Sequence, residues 1–444
     1  MKNDKRTIFG WAMYDWANSA YITTAGAIIA AFFTGEIVSD QGWHGLSGET
    51  LWAWVVSAGA LLLFLAMPVL GAVADFSAAK RRYLRAFAFF GAATTVVLAT
   101  VPANSVVAFL GVFLLTNIGF VGANVFYDGF LPDISTDATI DRVSSKGYAF
   151  GYIGGGLYVA LAFVAISLTK NDLGDVRPAM VRLAIAGAGV WWVGWSLYCL
   201  RLLPDSGEAQ PLPAELAGVS TVVAYARIGF GRTMATARKL LGFKQLLLFV
   251  IAFMIYNDGT QTVINVSGAY AEDTLGLDTT QIIVAFLIVQ FIAFGGALWF
   301  GYLSDRIGPK RSILIALVVW TAIAIGGYFL PEGNAVPLYL LAVVIGFVLG
   351  GVQALSRSLY GSMIPEEASA EFFGFFTVFS KFSAIWGPLL FGIVSAATDS
   401  GRPAIISIVV FFAVGGVLLS RVDIDAARQS RDRWSFEGAT AEAE

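Results

Sequence analysis

The sequence predicts an all-α integral membrane protein: twelve transmembrane helices in two pseudo-symmetric six-helix bundles, with both termini cytoplasmic. Three observations carry this. One loop is written twice: Gly71-Ala-Val-Ala-Asp75-Phe-Ser-Ala-Ala-Lys80-Arg81 recurs as Gly301-Tyr-Leu-Ser-Asp305-Arg-Ile-Gly-Pro-Lys310-Arg311, with apolar runs on both sides of each copy. A duplicated loop between duplicated hydrophobic hairpins implies two homologous halves. Composition is the second observation: 57% hydrophobic against 13% charged residues lies far from soluble averages and leaves too little polar surface for a water-soluble chain. The third is the distribution of lysine and arginine, described below.

A helix needs about 20 mostly apolar residues to cross the hydrocarbon core. Twelve such stretches run roughly over 8–34, 50–74, 83–101, 105–130, 147–169, 180–203, 245–270, 281–303, 312–330, 336–362, 371–397 and 403–420. They lack regular polar alternation, which argues for helices rather than an outer-membrane barrel. The first run lacks a small-residue cleavage site, so it is expected to open the bundle rather than act as a cleaved signal. With the N-terminus inside, inner loops and tails hold 22 of the 28 cations, outer loops hold four (Lys170, Arg177, Arg182, Arg402), and Arg357 and Lys381 lie within spans. Cationic loops stay on the cytoplasmic side, so both termini and both repeated loops are placed there.

Four segments follow: a bundle over 1–203, a linker over 204–244, a second bundle over 245–421 and a mobile tail over 422–444. The linker opens with Pro204, Pro211 and Pro213, then carries Arg227, Arg232, Arg238 and Lys239 on a helical pattern. It reads as a helix lying on the inner leaflet, with a plain solvated tether as the alternative.

Several chemistries are excluded. No G-x-x-x-x-G-K-[ST] loop occurs, and no Cys/His cluster has metal-site spacing, so no cofactor, metal or ATP hydrolysis is expected. Cys199 sits alone in an apolar span and His44 alone in an outer loop. The net charge of −3 gives no reason to expect a nucleic-acid partner. The expected partners are a small-molecule solute, the lipid bilayer and protons, with the chain monomeric and not an enzyme.

The repeated loop carries a gating expectation. Gly71 and Gly301 permit close helix contact, and Asp75 and Asp305 are placed to meet the positive N-terminal end of a helix in the opposite half. Lys80-Arg81 and Lys310-Arg311 anchor the loop to headgroups and inner-side carboxylates. A purely topological anchor is the alternative.

Ionised side chains at mid-membrane cost about 2.5–3.5 kcal/mol each on insertion scales, so they usually face a cavity. In the first span, Asp15, Asn18 and Tyr21 share one helical face. In the seventh, Asn257 and Asp258 lie in Tyr256-Asn257-Asp258-Gly259-Thr260-Gln261. Polar clusters in corresponding helices of two halves point to a central site on the pseudo-twofold axis, with interhelical hydrogen bonding as the alternative. Arg357 in the tenth span can clamp a carboxylate, and Lys381 in the eleventh can pair with Asp258 or with solute; for both, a permanent ion pair is the other reading. Gly387-Pro388 marks a helix break.

Tyr14-Asp15-Trp16-Ala17-Asn18-Ser19-Ala20-Tyr21, Tyr127 to Pro132, Gly147 to Gly154, Gly351-x-Gln353 to Ser358 and Lys381 to Pro388 resemble the vacuole-effluxer-like branch of the major facilitator superfamily, whose fungal namesake is an autophagy-related vacuolar amino-acid effluxer. The repeated loop likewise resembles that superfamily's signature loop, which latches the cytoplasmic side shut. The resemblance covers nearly the whole chain. It implies the major facilitator fold and secondary transport, with amino-acid-like cargo. Two departures stand out: Asp128 replaces the asparagine expected in Tyr-Asn-x-x-Leu-Pro, and the long insertions of fungal members are absent, as in compact bacterial forms. The resulting expectation is a multi-pass transporter of the bacterial inner membrane, proton-coupled or facilitative, moving a small polar solute. Sugar, drug or lipid-like cargo, and a non-transporting sensor with the same fold, are the alternatives.

Overall fold

The computed structural model describes residues 2–38, 42–103, 105–169, 177–204, 209–216, 218–240 and 242–434. Lys170 and the tail residues 435–444 lie outside them. The first bundle is built from α1 (Lys5–Ile37), α2 (Gly48–Phe76), α3 (Lys80–Leu98), α4 (Val106–Ile134), α5 (Ile140–Leu168) and α6 (Pro178–Cys199). A linker helix, α7 (Thr221–Leu240), leads to α8 (Lys244–Thr274), α9 (Thr279–Ile307), α10 (Pro309–Tyr328) and α11 (Ala335–Met363). The next span is split into α12 (Ser369–Phe382) and α13 (Trp386–Thr398), followed by α14 (Gly401–Ser420) and α15 (Ile424–Asp432).

Local chemistry fixes the helix ends. Asp4, Ser47, Asn334 and Asp423 each cap an N-terminus with a side-chain oxygen, and Asp278 forms a reciprocal capping box with Gln281. The first and seventh spans both relax into π turns towards their C-terminal ends, at Ala25–Ile29 and Phe33–Ile37 in α1 and at Tyr270–Thr274 in α8. That shared irregularity is a second trace of duplication.

Within the first half, α1 packs on α5 and α6, and α3 packs on α4 and α6; in the second, α9 packs on α11 and α8 on α14. The halves meet through α5 against α9 and α11, and through α2 and α4 against α12. Lipid offers no hydrophobic drive between helices, so close backbone approach does the work there. The glycines of the repeated loop are where it happens. A Cβ on Gly71 would sit 2.4 Å from the Ala370 carbonyl oxygen, and one on Gly301 2.7 Å from Ser145 Cβ. Any side chain at either position would push the two halves apart.

Three expectations change. Among the described residues eleven helices are long and apolar enough to cross a membrane. The expected third span is the exception: α3 is buried against α4 and α6, but Lys80, Arg81, Arg82 and Arg85 occupy its first two turns. The break expected at Gly387-Pro388 falls earlier, between Phe382 and Trp386, and Pro388 sits in the first turn of α13 where its missing N–H has no partner to lose. The tail expected to be mobile from 422 instead forms α15, held by the Lys310 ammonium donating to the Val422 carbonyl at 2.7 Å and by Arg431 paired with Asp137 at 2.9 Å.

Candidate functional site

Arg357 projects from α11 of the second half into a socket made entirely by the first. Its Nη1 lies 2.9 Å from Asp128 Oδ1 and 3.6 Å from Asp15 Oδ2, while Nε and Nη2 donate to the Ser144 hydroxyl and carbonyl at 3.0 and 2.9 Å. Three aromatic faces surround the guanidinium: Tyr148 at 4.2 Å, Trp11 at 4.9 Å and Tyr127 at 5.5 Å. Trp11 stacks on Tyr127 and donates from Nε1 to its carbonyl, which holds the socket wall rigid. Flat rings and a bidentate acceptor suit the planar guanidinium; a lysine would fill neither role.

The charges in this cluster do not balance. Two carboxylates face one guanidinium, and Arg357 is 3% exposed while the Asp15 and Asp128 side chains are 14% and 16% exposed. Asp128 holds the closer contact. Among the described residues Asp15 accepts otherwise from the Tyr127 hydroxyl alone, at 3.2 Å. The cluster thus holds one carboxyl group more than it has cations, at the interface between the halves. Beside it, the Tyr152 hydroxyl donates to Gln353 at 2.5 Å, again across the halves.

The other residues singled out in the sequence divide. Asn18 donates to Asn124 at 2.6 Å, one turn along α1 and α4 from Asp15 and Asp128. Tyr21 is not in the cluster: it stacks on Trp192 and packs against Phe120 in the core of the first half. Asn257 donates to Ser383 at 2.5 Å. Asp258 does not pair with Lys381. Its two oxygens instead accept from the Trp386 and Gly387 amides at 3.1 and 2.8 Å, capping α13 where the split span resumes. Lys381, next to last in α12, is exposed, and its side chain makes no ion pair or hydrogen bond among the described residues.

A second polar system closes the end that carries the repeated loops. Asp75 accepts from the Glu371 and Ala370 amides at 2.9 and 3.3 Å, at the N-terminus of α12 in the opposite half. Lys80 donates to Asp133 at 2.8 Å and to Ser369 at 2.6 Å, and lies 3.5 Å from Asp75. In the second copy, Asp305 caps no helix end; it pairs with the Arg142 side chain. Asp141 takes the helix-end region instead, accepting from Ser304 and from Ser358. Lys310 turns to the C-terminal segment, Arg81 is half-buried and Arg311 exposed. Ser144, Tyr148, Asp133, Asp141, Arg142 and Ser369 were not singled out by the sequence. Their only advance signal is position: Asp133, Asp141 and Arg142 flank the short connection opposite the repeated loops.

This architecture, two helical bundles joined by buried charge at their interface and by polar contacts at the end that carries the repeated loops, defines a multi-pass membrane transporter of the major facilitator fold. It superposes on the proton:xylose symporter XylE bound to 6-bromo-6-deoxy-D-glucose with a TM-score of 0.68, over 97% of this chain and 98% of that one at 16% identity. More particularly, the chain belongs to the family described as vacuole effluxer Atg22 like, whose model matches residues 51–142 and 135–432. It is 27% identical to the uncharacterized MFS-type transporter YxiO of Bacillus subtilis (strain 168), over 97% of this chain and 99% of that protein. It is 23% identical to autophagy-related protein 22 of Kluyveromyces lactis, over 79% of this chain and 74% of that protein. These relatives are transporters or carry the family's name, and none is an enzyme by name.

Proposed function

We propose that the chain is a secondary active transporter of the bacterial inner membrane that moves a small polar solute, amino-acid-like in charge, by rocking its two halves around the Asp15–Arg357–Asp128 cluster. The proposal takes α3 as a twelfth span and both termini as cytoplasmic, on the strength of the cation distribution. The observation that carries it is the seating of Arg357: a second-half cation whose polar partners among the described residues all belong to the first half. Breaking a buried pair by removing one partner costs about 3–5 kcal/mol. Opening the loop end therefore requires a replacement for those contacts, and a proton or an ammonium group on Asp15 supplies one. Asp15 is the site for it because Asp128 already holds Arg357. Lys381 is the matching cation for a solute carboxylate.

Counterflow in proteoliposomes tests this. Asp15→Asn is expected to abolish uptake driven by a pH gradient while keeping exchange at equal pH, and Lys381→Ala to lower exchange at least tenfold. Uptake by Asp15→Asn that still follows the gradient removes Asp15 from coupling, and normal exchange by Lys381→Ala removes Lys381 from the site. A protein that binds solutes in thermal-shift screening yet exchanges none is a sensor, not a carrier.

A further inference from the structure

The linker helix α7 has two faces with different company. Gly229 packs directly on Val69 and Val73 of α2, Tyr225 lies edge-on to Phe76, and the Arg232 guanidinium sits 5.7 Å over the Phe76 ring. The helix therefore lies level with the last two turns of α2, within about 10 Å of its inner end at 1.5 Å per residue. Flanking the packed face is an apolar stripe at i, i+4 spacing: Val222, Ala226, Phe230 and Met234 are all exposed, Val222 by 80% and Phe230 by 62%. Exposed Arg227 lies beside the stripe and exposed Arg238 continues it. No acidic residue occurs between Glu215 and Asp258.

The face turned inward reaches the latch. Arg232 lies within electrostatic range of Glu371 and Asp75, and Thr236 is fully buried beside Glu371. Glu371 is fully buried, with Thr236 beside its carboxylate. Its own amide is one of the two that Asp75 caps. So one helix packs on α2 of the first half, turns Arg232 and Thr236 towards Glu371 at the start of α12 in the second, and leaves its apolar stripe exposed among the described residues.

We propose that the exposed stripe of α7 docks anionic lipid of the inner leaflet, and that this docking holds the loop end closed by fixing Arg232 beside the Asp75–Glu371 carboxylates. Charge complementarity selects the occupant: an apolar stripe with cations and no carboxylate matches acyl chains under phosphate headgroups. Docking stands without the transport reading; only the effect on the latch rests on it.

The test uses the full chain in a Cys199→Ala background, in nanodiscs of phosphatidylcholine alone or mixed with phosphatidylglycerol. Phe230→Cys, carrying an environment-sensitive dye, is expected to be quenched by lipid-borne quenchers, more strongly with phosphatidylglycerol, and the difference to vanish in Arg227→Gln/Arg238→Gln. Ser362→Cys at the closed mouth is expected to react about fivefold more slowly with thiol reagents when phosphatidylglycerol is present, which corresponds to about 1 kcal/mol. No quenching in either lipid overturns docking. Quenching indifferent to phosphatidylglycerol overturns the anionic specification. Lipid-dependent quenching with unchanged Ser362→Cys reactivity overturns the link to the latch and leaves docking and transport standing.

Discussion

The two copies of the repeated loop share their spacing and have parted in their work. In the first, Asp75 is completely buried, Lys80 is 6% exposed, and both reach into the opposite half. In the second, Asp305 is 21% exposed and its partner Arg142 63%, and Lys310 holds the chain's own C-terminal segment. The backbone explains the divergence. After α2 ends at Phe76, the chain turns through Ala78 at φ 48° before Lys80 starts α3. In the second copy α9 runs to Ile307, Gly308 at φ 85° makes the whole turn, and Pro309 starts α10. The helix begins one residue earlier, which rotates the lysine by about 100° around the axis. Identical spacing in sequence thus gives a buried latch on one side and a surface ion pair on the other.

That contrast can be broken in order of expected effect. Lys80→Ala leaves the Asp75 carboxylate buried without its cation and Asp133, 24% exposed, without its partner, so a loss of about 3 kcal/mol of stability is expected, read as a large drop in apparent Tm or in folded yield; Lys310→Ala is expected to leave Tm nearly unchanged. Asp75→Asn removes a charge–dipole contact that exists only while the loop end is shut. Such contacts contribute up to about 2 kcal/mol when partly buried, and a loss near 1.4 kcal/mol shifts the open/closed balance about tenfold. Asp305→Asn removes an exposed pair contributing about 0.2–1 kcal/mol, so a shift of about twofold is expected, shrinking further at high salt, whereas the Asp75 effect should be nearly salt-independent. The smallest effect belongs to Lys310→Ala, seen as faster amide exchange over α15 with no change in mouth reactivity.

Much of this was legible in the sequence because membranes impose a coarse grammar. Apolar runs of span length and cation-rich loops gave the helices, and the Asp75 contact followed from the loop pattern plus a helix dipole. Pairing between helices was not legible. Asp258 looked like half of an ion pair with Lys381, but periodicity places a residue on a face and says nothing of which neighbour arrives there; the neighbour proved to be the broken end of α13. Asp128 was visible as an unusual carboxylate, and its bond to Arg357, 229 positions away, needed the packed halves. The docked tail was missed for the same reason: α15 is charged, and only tertiary partners such as Lys310 and Asp137 make it stay.

The central claim is that the latch is asymmetric: Asp75 bears it and Asp305 does not. The most direct measurement is the thiol-labelling rate of Ser362→Cys, buried beneath the closed loop end, in a Cys199→Ala background carrying Asp75→Asn or Asp305→Asn. An increase of about tenfold with Asp75→Asn and about twofold or less with Asp305→Asn is expected, with a matching decrease at Ala27→Cys near the other mouth for the first variant only. Equal rates in the two variants, or no change in either, would contradict the claim.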